Sequence, residues 1–128
     1  MHFRVLNEIL GGYFGSRLMK NIREDKGLTY GIHSQMAHLK HAGYFVIGTD
    51  VNKENTTLAL DEIRKEIRLL QTELVSNQEL ETVKNYMIGT YLGSLTHAMS
   101  LMDKFKTIHF AGLEYSFYSQ YVQNIQHT

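Results

Sequence analysis

The sequence predicts an α+β fold in which an antiparallel sheet packs against several helices. Three observations carry that reading. Residues 28–37 alternate, with Tyr30, Ile32, Ser34 and Met36 on one face, and residues 42–50 are rich in β-formers (Tyr44, Phe45, Val46, Ile47, Thr49). Polar residues and Gly43 lie between the two runs, which reads as a hairpin. Helical spacing fills the rest of the chain, and strands grouped together rather than alternating with helices indicate α+β instead of a parallel α/β fold. The chain has no proline, which suits uninterrupted helices. A two-stranded sheet is marginal alone, so either the helices cover it well or its other strands lie in sequence beyond these 128 residues.

The elements follow in order. Phe3, Leu6, Ile9 and Leu10 have helical spacing, and Gly11-Gly12 is expected to end that helix in the left-handed conformation glycine adopts readily. Ser16 is a suitable N-cap for a second helix over 16–25, with Leu18, Met19 and Ile22 facing inward and Gly27 just past its end. After the hairpin, Asn52 is expected to cap a helix over about 53–74 whose stripe is Leu60, Ile63, Ile67, Leu70 and Leu74, with Asp61 and Lys65 paired on its outer side. Ser76-Asn77-Gln78-Glu79 has the form of a capping box opening a helix through Leu80, Val83, Met87 and Tyr91. A break is expected between Ser94 and Ala98, then a helix to about residue 111 stopped by Gly112, and a last helix over 114–126. Met99, Met102 and Phe105 are expected in the core, and the aromatic tail (Phe110, Tyr115, Phe117, Tyr118 and Tyr121) in the core or at a domain interface.

Composition removes several functions. Thirteen basic residues balance thirteen acidic ones, so the basic footprint of nucleic-acid binding is missing. No apolar run is long enough to span a bilayer, and Asn7 and Glu8 interrupt the only apolar stretch near the start, so no secretion signal is visible. The chain reads as a soluble domain of either cytoplasm or periplasm. With no cysteine there is no disulfide framework and no thiolate metal site. Gly11-Gly12 and Gly15 are followed by no Gly-Lys-Ser/Thr and preceded by no strand, which argues against a phosphate loop. The seven histidines (2, 33, 38, 41, 97, 109 and 127) form no His-x-x-Glu-His or His-Glu-x-x-His. His33, His38 and His41 gather near the hairpin loop, where solvated histidines are the ordinary outcome. A catalytic zinc needs three protein ligands and a polarised water, and no such set is visible, so the chain alone is expected to be catalytically silent.

The step from Arg23 to Tyr30 places a cation and a phenol on either side of a helix-to-strand turn. Arginine presents a rigid fork of donors at any working pH, and tyrosine keeps its proton near neutrality. Both are able to donate to one carbonyl oxygen and to tighten on it as it becomes an oxyanion. The same two residues also suit a plain structural role, as a cation at a helix C-terminus and a strand tyrosine half in the core.

Leu10-Gly11-Gly12, Ser16-Arg17-Leu18, Arg23, Gly27-Leu28 and Tyr30 occur here in order. This set resembles the second αβ domain of M16-family zinc metallopeptidases of the pitrilysin and mitochondrial-processing-peptidase type, and the resemblance extends over nearly the whole chain. It implies a LuxS/MPP-like metallohydrolase fold and a single inactive C-terminal-type domain over 1–128, cut from a longer chain. It implies that Arg23 binds substrate main chain and that Tyr30 helps bind it and steadies the transition state, in trans to a zinc domain. The implied partners are that zinc-bearing M16 domain and a peptide substrate, with zinc on the partner and no cofactor in this chain. The alternative is an inactive M16-like assembly subunit.

Overall fold

The computed structural model describes residues 1–128. Helix α1 (His2–Asn7) runs into a wide π-turn (Glu8–Gly12), and a π-helix (Met19–Asp25) follows. Strands β1 (Ile32–His38) and β2 (Gly43–Thr49) pair antiparallel, with Ile32 opposite Thr49 and His38 opposite Gly43, and form the whole two-stranded sheet. A 3₁₀ turn (Lys53–Asn55) leads into α2 (Thr56–Thr72), then come α3 (Asn77–Ser94), α4 (Ala98–Ala111) and two short pieces, α5 (Ser116–Ser119) and α6 (Tyr121–Gln126). The predicted α+β architecture is the one observed.

Two small cores hold the elements together. In one, Val5 and Ile9 pack against Val83 and Met87 of α3 and Ile125 of α6. In the other, Leu10, Leu18, Met19, Ile22 and Ile32 meet Ile63 and Ile67 of α2, and Leu70 touches both clusters. The first third of the chain is thus the wedge between α2 and α3. Leu18 and Ile22 are completely buried, each contributing on the order of 1.5–3 kcal/mol of apolar burial.

Gly11 and Gly12 do end the first helix, but not in the left-handed region; only Gly27 and Gly112 have positive φ. Gly11 is non-helical with a negative φ (−161°), and space is what excludes a side chain. A Cβ there would lie 2.7 Å from Ser34 Oγ, 2.9 Å from the Ser34 amide nitrogen and 3.0 Å from Leu18 Cδ1. At Gly12 a Cβ would meet the Glu8 carboxylate at 2.6 Å.

Glu8 Oε2 is buried with no hydrogen-bond partner, and burial pushes the Glu8 carboxyl above its ordinary value. A raised folded pKa favours the fold below the unfolded carboxylate value of about 4.3. That advantage is lost as pH rises through the folded value. Glu8→Gln is expected to raise Tm at pH 7 and leave it nearly unchanged at pH 4. An equal fall at both pH values would instead make Glu8 a packing residue.

Several other expectations change. The Asn52 side chain caps nothing; its carbonyl accepts from Asn55 N–H at 2.9 Å, and α2 starts only at Thr56. Within α2 Ala59 is buried, Ile63, Ile67 and Leu70 pack partly buried against the second core, and Leu60 faces solvent; Leu74 lies beyond the helix end and is exposed. Charges on α2 pair at i,i+3, Asp61 with Arg64 and Glu62 with Lys65, rather than Asp61 with Lys65. Met99, Met102 and Phe105 are exposed, not core, because only Ile108 of α4 is buried. The tail divides: Tyr118 and Tyr121 stack against Tyr91, whereas Phe110 and Tyr115 are exposed. The last helix is two pieces separated at Gln120.

Candidate functional site at the helix-to-strand turn

Ser16 begins the site. It is buried, and its hydroxyl accepts from the Met19 N–H at 3.4 Å, the N-cap role its position predicts. Beside it, Arg17 donates two hydrogen bonds to Glu79, Nε to Oε1 and Nη2 to Oε2, both at 2.8 Å. Ser76 Oγ accepts from the Glu79 N–H at 3.2 Å, so half of the capping box forms while the Glu79 carboxylate is turned outward onto Arg17. This bidentate pair ties the segment leading into the site to the first turn of α3.

Arg17 holds the Glu79 carboxyl below the usual carboxylate range, chiefly through those hydrogen bonds. Both side chains are mostly enclosed. Arg17→Ala is expected to destabilise the domain by about 2 kcal/mol, read as the shift in urea midpoint. A lowered carboxyl pKa means this stabilisation is complete above about pH 4.3 and is lost as pH falls through the folded Glu79 value. The wild-type and Arg17→Ala midpoints should therefore converge in acid. A gap that persists there would remove the ion pair as its cause.

The next turns are wide, as the Lys26 N–H bonding to the Asn21 carbonyl five residues back shows. Buried Asn21 anchors this helix to α2. Its amide donates to Glu62 Oε2 and Glu66 Oε1, both at 2.9 Å, and its carbonyl oxygen accepts from Lys26 Nζ at 2.7 Å. The Asn21 amide, then Lys26, keep the Glu62 carboxyl below its ordinary value. Gly27 (φ +60°) turns the chain, and the Leu28 N–H closes on the Ile22 carbonyl at 2.9 Å.

Beyond it, Thr29 organises the turn. Its hydroxyl lies 2.7 Å from the Asp50 carbonyl and 2.9 Å from the Gly31 carbonyl, and it accepts from the Gly31 N–H at 3.2 Å. The Thr49 hydroxyl sits 3.0 Å from it. This knot replaces ladder pairing, so β1 starts at Ile32 and Tyr30 stands outside the strand. Ile32 and Ser34 remain on the buried face, but Tyr30 does not share it: it is 100% exposed. A shallow cavity of about 490 Å³ lies there, lined by Met19, Thr29, Tyr30, Ile32, His33 and Asp50 among others.

Arg23 lies on the preceding helix, half-buried, with its guanidinium carbon 4.8 Å from the centroid of the Phe14 ring. It forms no ion pair, although Glu24 and Asp25 are its neighbours. Arg23 and Tyr30 make no hydrogen bond or cation–π contact with each other. The structure therefore leaves two separate donors, each without a hydrogen-bond partner in the domain, on either side of a pinned turn. Sequence reasoning missed Phe14, since nothing local signals that a ring nine residues upstream meets the guanidinium. No three histidine, aspartate or glutamate side chains are grouped to hold a metal ion, so the residues present do not fit a zinc site. No helix is long and apolar enough to cross a membrane.

The family model described as "Peptidase M16 inactive domain" matches residues 1–87. The chain is 31% identical over 100 residues to a protein of Bacillus subtilis named "Uncharacterized zinc protease YmxG", covering 78% of this chain and 24% of the relative. It is 29% identical over 89 residues to the "Non-peptidase homolog YmxG" of Helicobacter pylori, covering 68% of this chain and 20% of that protein. The chain thus spans about a quarter or less of the length of these relatives. Among solved structures, a peptidase M16 inactive domain from Pseudomonas fluorescens superposes with a TM-score of 0.86 at 26% identity, over 97% of this chain and 30% of that one. A protease from Helicobacter pylori shares the fold, with a TM-score of 0.79 at 18% identity over 94% of this chain and 29% of its own.

Proposed function

Since this chain belongs to the peptidase M16 inactive-domain family, we propose that it is the zinc-free, substrate-binding half of a peptidase, offering Arg23 and Tyr30 to a polypeptide cleaved on a companion zinc-bearing domain. The observation that carries this is the pair of unsatisfied donors: an arginine with no ion pair and a tyrosine with no contact, held on a backbone fixed by Ser16, Gly27 and Thr29. Glu24 and Asp25, one and two positions on, point away from Arg23 on the helix, and its guanidinium rests on the Phe14 ring. Zinc on the companion domain would supply the polarised water that attacks the scissile carbonyl. This chain's own part is to hold the peptide. The Arg23 fork grips main-chain carbonyls, and the Tyr30 hydroxyl donates to the oxygen that gains charge. Residues 1–128 are on this reading one αβ domain of a longer polypeptide, in keeping with the small share of its relatives that it spans.

The test is peptide hydrolysis by the complete protein assembled with its zinc-bearing domain. Arg23→Ala is expected to raise KM about tenfold, the loss of a charge-assisted hydrogen bond, in a domain that still folds. Unaltered kcat/KM would overturn the assignment. A second reading, a structural subunit of a larger complex, is favoured by the name of the Helicobacter pylori relative, a non-peptidase homolog. A companion domain without His-x-x-Glu-His decides for that reading.

A further inference from the structure

We infer that Phe14 is a positioning residue for substrate binding: its ring is a preformed seat that orients the Arg23 guanidinium before any peptide arrives. The inference rests on the reading that Arg23 binds substrate. Phe14 is 66% exposed, so one face of its ring is open to the guanidinium. Its backbone is nonetheless fixed on both sides. The Ser16 N–H bonds to the Tyr13 carbonyl at 3.1 Å, closing a tight turn over Phe14 and Gly15. Tyr13 is anchored in turn, its ring 4.8 Å from that of Tyr86 on α3. Gly15 lets the turn fold back over that ring, since a Cβ there would lie 2.7 Å from Tyr13 Cε2. Ser16, at the other end, is buried and caps the following helix. The Phe14 ring is therefore presented by a rigid corner.

Arg23 comes to it from the π-helix, with Cζ 4.8 Å from the ring centroid. The attraction is that of a cation for the negative face of the ring. It takes none of the five guanidinium N–H donors, whereas a bidentate carboxylate would take two. A free arginine must lose rotamer freedom when it grips a ligand, and one already seated on a ring loses less. The Phe14 seat thus selects the orientation while leaving the donors open, a combination suited to an uncharged main-chain acceptor.

The experiment is a double-mutant cycle in the complete protein with its companion domain. The probe is fluorescein-labelled β-casein, an unfolded polypeptide, followed by anisotropy with metal chelated so that nothing is cleaved. Phe14→Leu is expected to weaken binding about two- to fivefold, the worth of an exposed cation–π contact. Phe14→Tyr should bind as wild type, and Phe14→Leu, which gives up the contact in the free domain as well, should change binding no further in an Arg23→Ala background. If Arg23→Ala weakens binding but Phe14→Leu has no effect, or an equal effect in both backgrounds, the positioning role is refuted and the role of Arg23 stands. If Arg23→Ala leaves binding intact, the substrate-binding assignment fails and this inference fails with it.

Discussion

Tyr30→Phe in the assembled peptidase is expected to lower kcat about 100- to 1000-fold, the usual cost of losing one donor to a developing oxyanion. The substitution removes a single oxygen from a ring that touches nothing in the domain and is wholly exposed. Stability should therefore be unchanged, and chemical denaturation of the variant should overlay the wild type. The backbone around the ring is held by the Thr29 and Thr49 hydroxyls and the Asp50 carbonyl, none of which needs the phenol. A fall in kcat with KM near its original value would mean that the hydroxyl acts mainly on the transition state. Wild-type turnover would remove Tyr30 from the mechanism, whatever the fate of Arg23.

Gly11→Ala is expected to destabilise the domain by about 2–3 kcal/mol, the cost of overpacking a filled site. The incoming methyl meets the Ser34 hydroxyl at 2.7 Å and the Ser34 amide nitrogen at 2.9 Å. The hydroxyl is able to rotate away only by leaving Asn7, whose side-chain oxygen it reaches at 2.8 Å. The amide belongs to β1 and yields only if the strand moves. Since Gly11 does not have the positive φ that favours glycine, the expected effect is argued from contact. Urea unfolding gives the measurement. A midpoint within error of wild type would show that β1 has room to recede.

The parts of the fold governed by neighbours in sequence were legible. Ser16 and Ser76 cap helices, Gly27 and Gly112 end them with positive φ, and the hairpin pairs where the alternation placed it. What failed depends on partners distant in sequence. Periodicity marks Met99, Met102 and Phe105 as one face but does not say what covers it, and here nothing buries them. Tyr30 reads as a strand residue until Thr29 is seen diverting the hydrogen bonds that would extend β1. The glycines at 11 and 12 read as a left-handed stop, when their function is to admit Ser34 and Glu8. At the candidate site, the order of the surrounding motifs singles out Arg23 and Tyr30 as candidates. It does not single out Phe14 or the Arg17–Glu79 pair, because one is a contact across a turn and the other joins residues 62 positions apart.

That last pair has a consequence for heredity. A lone change at either position strands a charge that the other was holding, so descent should alter the two sites jointly or not at all. Among natural variants of this domain, a lineage that exchanges the guanidinium at 17 for an apolar group should also have discarded the acid at 79. A lineage that reverses the sign of one should have reversed the sign of its mate.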